Sequence, residues 1–349
     1  METAARRARD ARLDLLRVAA SFLVVLIHTS AQRWYVLDPQ TSLWAGVHLF
    51  NAASRCAVPL FFMLSGTLFL GAPEPPSLSR LWKHHIPRLL VIYVLWSVGY
   101  GFLNLGPAAF LENPILLVGK AVEGHYHLWF LPAILAVYVL LPVLYAAVHY
   151  ENGKYVRYLA AVFVGFGVVS ATVEAFYDFL PWSVSMIFQK IKPDLCGPCG
   201  YVILGYALSR VRWKRAPAWL LLPYGISVLT VWAGSLVVSR RLGTPYALLC
   251  GEYTLPSFVE AASLYLFFRA LPEAKGERPR RLLAALAADT LGVYLMHPLL
   301  LSLCDRIGLA EPFFSAWPLV LPLAVMIFAL SAAVTAALRR IPAVGKWIV

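Results

Sequence analysis

The chain has 349 residues, 60% of them hydrophobic and only 14% charged, with a mean hydropathy of +0.70. Soluble domains carry about 25% charged residues, so a soluble globular protein is excluded. The formal net charge of +12 would point to nucleic acid in a soluble protein, but here the cations follow the loops between apolar runs. They report membrane topology instead, and no nucleic-acid partner is expected.

Ten apolar runs, near 14–31, 47–70, 87–106, 127–149, 158–175, 195–209, 217–238, 254–271, 282–304 and 315–338, are read as helices crossing a hydrocarbon core of ~30 Å. The sixth is short and interrupted by Gly197, Pro198 and Gly200. The expected fold is an all-α polytopic membrane protein of about ten transmembrane helices. One domain spans 1–349, with a basic segment over 1–13 and a tail over 339–349. Alternate loops, counted from the N-terminus, hold 21 of the 30 Lys and Arg residues and the opposite loops 7. That bias places both termini in the cytoplasm. The first run is long and is followed by Gln32-Arg33-Trp34-Tyr35, an aromatic membrane edge rather than a small-residue cleavage site.

Polar residues inside these runs are costly and mark function. In the first helix Arg17 and His28 lie eleven positions apart. At ~100° per residue both project from one face, about 16 Å apart along the axis. Arg17 falls near the cytoplasmic end and His28 near the outer end. The second helix places Arg55 in its outer half and Ser65-Gly66, small residues suited to close packing, toward the cytoplasm. Arg88 opens the third helix at the inner face, with Lys83 just before it. His127 and Trp129 open the fourth at the outer face, Glu260 lies in the outer half of the eighth, and His297 in the outer half of the ninth. An inner basic layer of Arg17 and Arg88 suits a phosphorylated, CoA-like donor. The outer layer of His28, Arg55, His127, Glu260 and His297 offers acid–base groups to an acceptor. Arg55 and Glu260 also read as a structural ion pair, His127 with Trp129 as an interfacial anchor, and His297 as a packed structural histidine.

Cys196-Gly197-Pro198-Cys199 has the letters of a thioredoxin redox site, but no strand or βαβ unit surrounds it, so a disulfide or two free thiols is expected. No metal site is expected from the five cysteines or from His84-His85.

Arg17, ten intervening residues and His28 resemble the Arg-X10-His signature of the acyltransferase-3 family of integral membrane acyltransferases. VPLFFMLSG (58–66) is similar to that family's second-helix motif. WKHHIPRLLVIYVLWS (82–97) resembles its basic third helix, YHLWFLPAILAVYVLLP (126–142) its fourth, and LGVYLMHP (291–298) its penultimate helix. The second and fourth motifs look closest to the surface-polysaccharide O-acetyltransferase branch. The family often has two arginines three apart at the start of the third helix; here His85 precedes Arg88, and Ile92 replaces a common proline. The resemblance implies transfer of an acyl group, usually acetyl, from cytoplasmic acetyl-CoA to a hydroxyl of an extracytoplasmic or lipid-linked glycan, in the bacterial inner membrane. It makes His28 the central catalytic residue and Arg17 its companion. Arg17, Arg88, Ser65 and Lys83 would bind the donor, and Arg55, His127, Trp129, Glu260 and His297 would line the acceptor side. No permanently bound cofactor is implied. The alternative reading is a multi-pass transporter or exporter of a lipid-linked sugar or small solute.

Overall fold

The computed structural model describes residues 10–183, 186, 196–211, 217–273, 276–341 and 345, and every regular element among them is helical. Residues 1–9 and the basic residues Lys190, Lys192, Arg212, Lys214, Arg215, Lys275 and Lys346, used above for the loop charge bias, lie outside the described residues. In chain order the principal helices are α1 (Ala11–Trp34), α2 (Ser42–Ala52), α3 (Ala57–Ser65), α4 (Ile86–Glu112), α5 (Ile115–Glu123) and α6 (Phe130–His149). They continue with α7 (Val156–Val162), α8 (Ser170–Glu174), α9 (Cys196–Ser209), α10 (Leu221–Leu242), α11 (Leu255–Ala270), α12 (Glu277–Arg306) and α13 (Val320–Leu338).

Among the described residues, eight helical segments are long and apolar enough to cross a membrane, including Ala11–Trp34, Ser42–Leu70, Glu277–Arg306 and Trp317–Leu338. The expected sixth and eighth spans are also helical, but α9 has 14 described residues and α11 has 16. At 1.5 Å per residue these reach roughly 21 and 24 Å, short of a ~30 Å core. Both are heavily buried, so their depth is set by packing against neighbours rather than by lipid.

α1 is the hub of the bundle. It packs against α2, α3, α11, α12 and α13, which accounts for its two buried faces (Leu16, Ala20, Val25 and Leu26 are all at most 4% exposed). It starts at Asp10, whose carboxylate accepts the Arg12 amide at 3.0 Å, satisfying one orphaned donor of the first turn. The same carboxylate accepts Arg12 Nε at 2.9 Å and Arg269 Nη1 at 2.5 Å, joining the start of α1 to the end of α11. At the opposite end Arg33 donates to Asp305 at 2.8 Å and to Glu311 at 2.9 Å. Trp34, expected at a lipid interface, instead turns inward, 3% exposed, and donates Nε1 to His48 Nδ1 at 3.0 Å. The indole N–H found a partner inside α2, which outweighs its preference for the headgroup region.

The second expected span is broken. α2 and α3 are separated by a turn over residues 53–56, and Gly66–Leu70 continues α3 as a π-helical turn. Pro59 explains the first break: it has no N–H for the Arg55 carbonyl and crowds it. The second lies where α3 crosses α9 backbone to backbone. A Cβ on Gly66 would sit 1.8 Å from the Val202 carbonyl oxygen, and one on Gly205 2.0 Å from that of Met63. The crossing requires glycine on both helices, as small-residue packing in membranes does.

Candidate active site

His28 lies on the second-last turn of α1 and opens into a cavity of about 660 Å³ at the end of the bundle opposite Arg17. Of the residues singled out from sequence, His28, Arg55 and Trp129 line this cavity together. His297 and His127 stand behind it, 0% and 1% exposed. Their ring centroids are 5.1 and 6.3 Å from that of His28, and 5.6 Å from each other. Three imidazoles from α1, α12 and the segment before α6 therefore converge.

Their hydrogen bonds set their chemistry. His297 Nδ1 sits 3.0 Å from the Val293 carbonyl of its own helix. A carbonyl only accepts, so this nitrogen carries the proton and Nε2 is left with a lone pair. That Nε2 is buried without a partner, as is His127 Nε2. His127 Nδ1 instead meets His125 Nδ1 at 2.7 Å, one ring donating and the other accepting. His125, not singled out from sequence, lines the cavity and stacks on Tyr100 at 4.2 Å between ring centroids. Burial pushes its imidazole down to about 4, so it is neutral at pH 7. The only sequence signal was its place two residues before His127.

Arg55 sits on the turn between α2 and α3, freed from regular helix by that break. Its Nη1 donates to the Cys250 carbonyl at 2.8 Å and its Nη2 to Asn51 Oδ1. Asn51 in turn donates Nδ2 to Ser30 Oγ at 3.2 Å and to the Ile27 carbonyl, next to His28, at 3.4 Å. A continuous chain thus joins the His28 turn to the guanidinium. Asn51 was missed by sequence reasoning, although a polar residue four positions before an intramembrane arginine is the signal that finds it. The Cys250 carbonyl is presented by a loop in which Leu249 holds φ +59°. A branched residue there is strained, and such strain gathers at sites over-determined by their surroundings. The Arg55–Glu260 ion pair does not form. Glu260 is fully buried, and the two Nη groups of Arg55 donate to the Cys250 carbonyl and to Asn51 rather than to its carboxylate.

At the other end of α1, Arg17 and Arg88 both lie within electrostatic range of Tyr138 on α6. Its ring contacts those of Phe69 (5.2 Å) and His85 (6.3 Å). Arg17 is half-buried, while Arg88 and Lys83 are exposed. Ser65 donates its hydroxyl to the Phe61 carbonyl at 3.0 Å. Its neighbourhood is the glycine crossing of α3 and α9, in keeping with the packing reading.

The Cys-Gly-Pro-Cys segment opens α9, and both thiols are free. Its glycine has a packing task. A Cβ on Gly197 would meet the Tyr253 ring at 2.5 Å.

No solved structure matches the chain. Among curated proteins it is similar to a serine/alanine racemase from Enterococcus gallinarum, 26% identical over 313 residues. The match covers 82% of this chain but 40% of that protein, so the chain spans about two fifths of the relative's length. The model of the acyltransferase-3 family, described as an acyltransferase domain, matches residues 10–336 and takes in α1 through almost all of α13. This membrane chain, with its Arg17 and His28 at opposite ends of the hub helix, belongs to the acyltransferase-3 family.

Proposed function

We propose that this protein is a bacterial inner-membrane O-acetyltransferase. It moves an acetyl group from cytoplasmic acetyl-CoA to a hydroxyl of a cell-surface polysaccharide or its lipid-linked precursor. One observation carries the reading: a single central helix presents a guanidinium at one end of the bundle and, at the other, an imidazole lining a polar cavity. Donor and acceptor can then meet from opposite sides of the membrane. Arg17 and Arg88, gathered around Tyr138, hold the donor phosphates by charge-assisted hydrogen bonds.

At the reacting centre the imidazole of His28 takes the proton of the glycan hydroxyl as its oxygen attacks the thioester carbonyl. The C–S bond breaks, the new ester C–O bond forms, and the proton leaves on the thiol of CoA. In the covalent variant His28 itself accepts the acetyl group before the hydroxyl does. Both need a fixed cation near the developing oxyanion, and Arg55, held by Asn51 and the Cys250 carbonyl, supplies one.

The test is mass spectrometry of surface glycans from cells with the wild-type protein, without it, and with His28→Ala. An acetyl-sized mass increment is expected with wild type only, at equal protein level in the membrane. Retained acetylation in the variant removes His28 from its role. An unchanged glycan mass without the protein, together with solute flux that consumes no acetyl-CoA, would favour the transporter reading.

A further inference from the structure

A second cavity of about 680 Å³ adjoins the His28 cavity, and Trp129 and Glu252 belong to the walls of both. It lies between the start of α6, α8, the start of α9 and the loop over 247–254. Beyond the shared wall and the Cys250 stretch, none of the residues assigned above to donor, acceptor or proton transfer lies in it. Each volume falls within the ~300–1,000 Å³ of small-molecule sites.

The lining is chemically mixed in a particular way. Trp129, Phe166 and Tyr253 bring aromatic faces to a largely apolar wall, and Glu174 and Glu252 bring carboxylates. Between them stand small residues such as Ala133 and Ala171. A plain hydrocarbon chain would leave the half-buried Glu252 carboxylate at the junction without a partner. Aromatic faces beside acceptor-only oxygens suit a ligand with apolar C–H faces and many hydroxyl donors, which is the chemistry of a sugar ring.

The wall is also built to stay in place. Tyr201 donates its hydroxyl to the Glu252 carbonyl at 2.8 Å. The Leu255 amide, one residue past the loop, donates to Thr172 Oγ1 on α8 at 2.8 Å.

We propose that this second cavity is an acceptor subsite, which holds the sugar units next to the one whose hydroxyl enters the His28 cavity. Glu252 and Trp129 stand at the junction and set the register between them. The inference rests on the acyl-transfer reading above and specifies its substrate: an oligomeric glycan rather than a single sugar or a lipid alcohol.

The experiment uses membranes containing the full chain, radiolabelled acetyl-CoA, and the delipidated surface-glycan fraction of the producing cell as acceptor. Ala171→Trp fills the second cavity without touching the first. It is expected to raise the half-saturating glycan concentration at least tenfold, while that for acetyl-CoA moves less than twofold. Glu252→Gln, which conserves volume, should raise the glycan value several-fold in the same manner and covers the case in which the tryptophan variant fails to accumulate. Unchanged glycan half-saturation in the variant that accumulates overturns the subsite, as does equal competition by a sugar-free isoprenoid phosphate. If wild-type membranes label no glycan at all, the acyl-transfer reading itself fails, a result distinct from loss of the subsite alone.

Discussion

Arg55 owes its place to two neighbours that share its burden. An intramembrane guanidinium with a single partner would leave several N–H donors unsatisfied in a dry site, each costing about 1–3 kcal/mol. Here the Cys250 carbonyl and Asn51 Oδ1 take two of them, and Asn51 ties the cation to the Ile27 carbonyl beside His28. Asn51 is 1% exposed, so Asn51→Leu keeps its volume and removes only polar contacts. The guanidinium would then drift from its aim. Turnover should fall about tenfold to a hundredfold, the rate equivalent of ~1–3 kcal/mol, with acetyl-CoA half-saturation unchanged. Steady-state kinetics in membranes decides this; equal turnover would make Asn51 a packing residue only. His28 and Arg55 were legible from sequence because a charged or titratable group inside an apolar run is conspicuous, and Trp129 because an aromatic marks the outer edge of a span. Asn51 and His125 were not, since an asparagine near a helix break and a histidine in a connector are ordinary until the fold brings them to the cavity.

The broken second span links that residue geometry to the helices. Pro59 interrupts the hydrogen bond to the Arg55 carbonyl, and the turn it creates carries the guanidinium. Farther along, α3 and α9 touch through glycine backbones. In Gly205→Ala the new methyl would lie 2.0 Å from the Met63 carbonyl oxygen, a contact no rotamer can relieve. One of the two helices must move, and overpacking of this kind costs ~1–3 kcal/mol or more. The displacement also reaches Thr67, whose hydroxyl lies 3.3 Å from the Gly205 carbonyl and 2.5 Å from Tyr265 Oη. A lower midpoint is therefore expected in thermal denaturation of the purified variant, and an unchanged midpoint would show that the crossing has slack. The helical runs themselves were readable from hydropathy almost to their ends. The short α9 was legible too, but the break at 53–56 and the short length of α11 were not, because runs buried among other helices stay apolar whether or not they are long enough to span.

At the scale of the molecule, the bundle has two chemically different ends. One carries Arg17, Arg88, Lys83 and the Asp10–Arg12–Arg269 cluster. The other holds the cavity lined by His28 and His125 and the Arg33 ion pairs. The loop charge bias predicts that the Arg17 end faces the cytoplasm, as the proposed function requires. The orientation has a direct consequence: a donor made in the cytoplasm reaches the basic end only if the bias is obeyed. The exposed positions Val36 and Glu74 lie on opposite ends, and the native thiols are buried apart from the half-buried Cys196. In intact cells, Val36→Cys should therefore react with a membrane-impermeant maleimide, whereas Glu74→Cys should react only after the membrane is opened. The reverse labelling would put the phosphate-binding cations on the side without acetyl-CoA. Proposed donor and proposed acceptor would then have exchanged compartments, and a cell-surface glycan could no longer be the product of a cytoplasmic thioester.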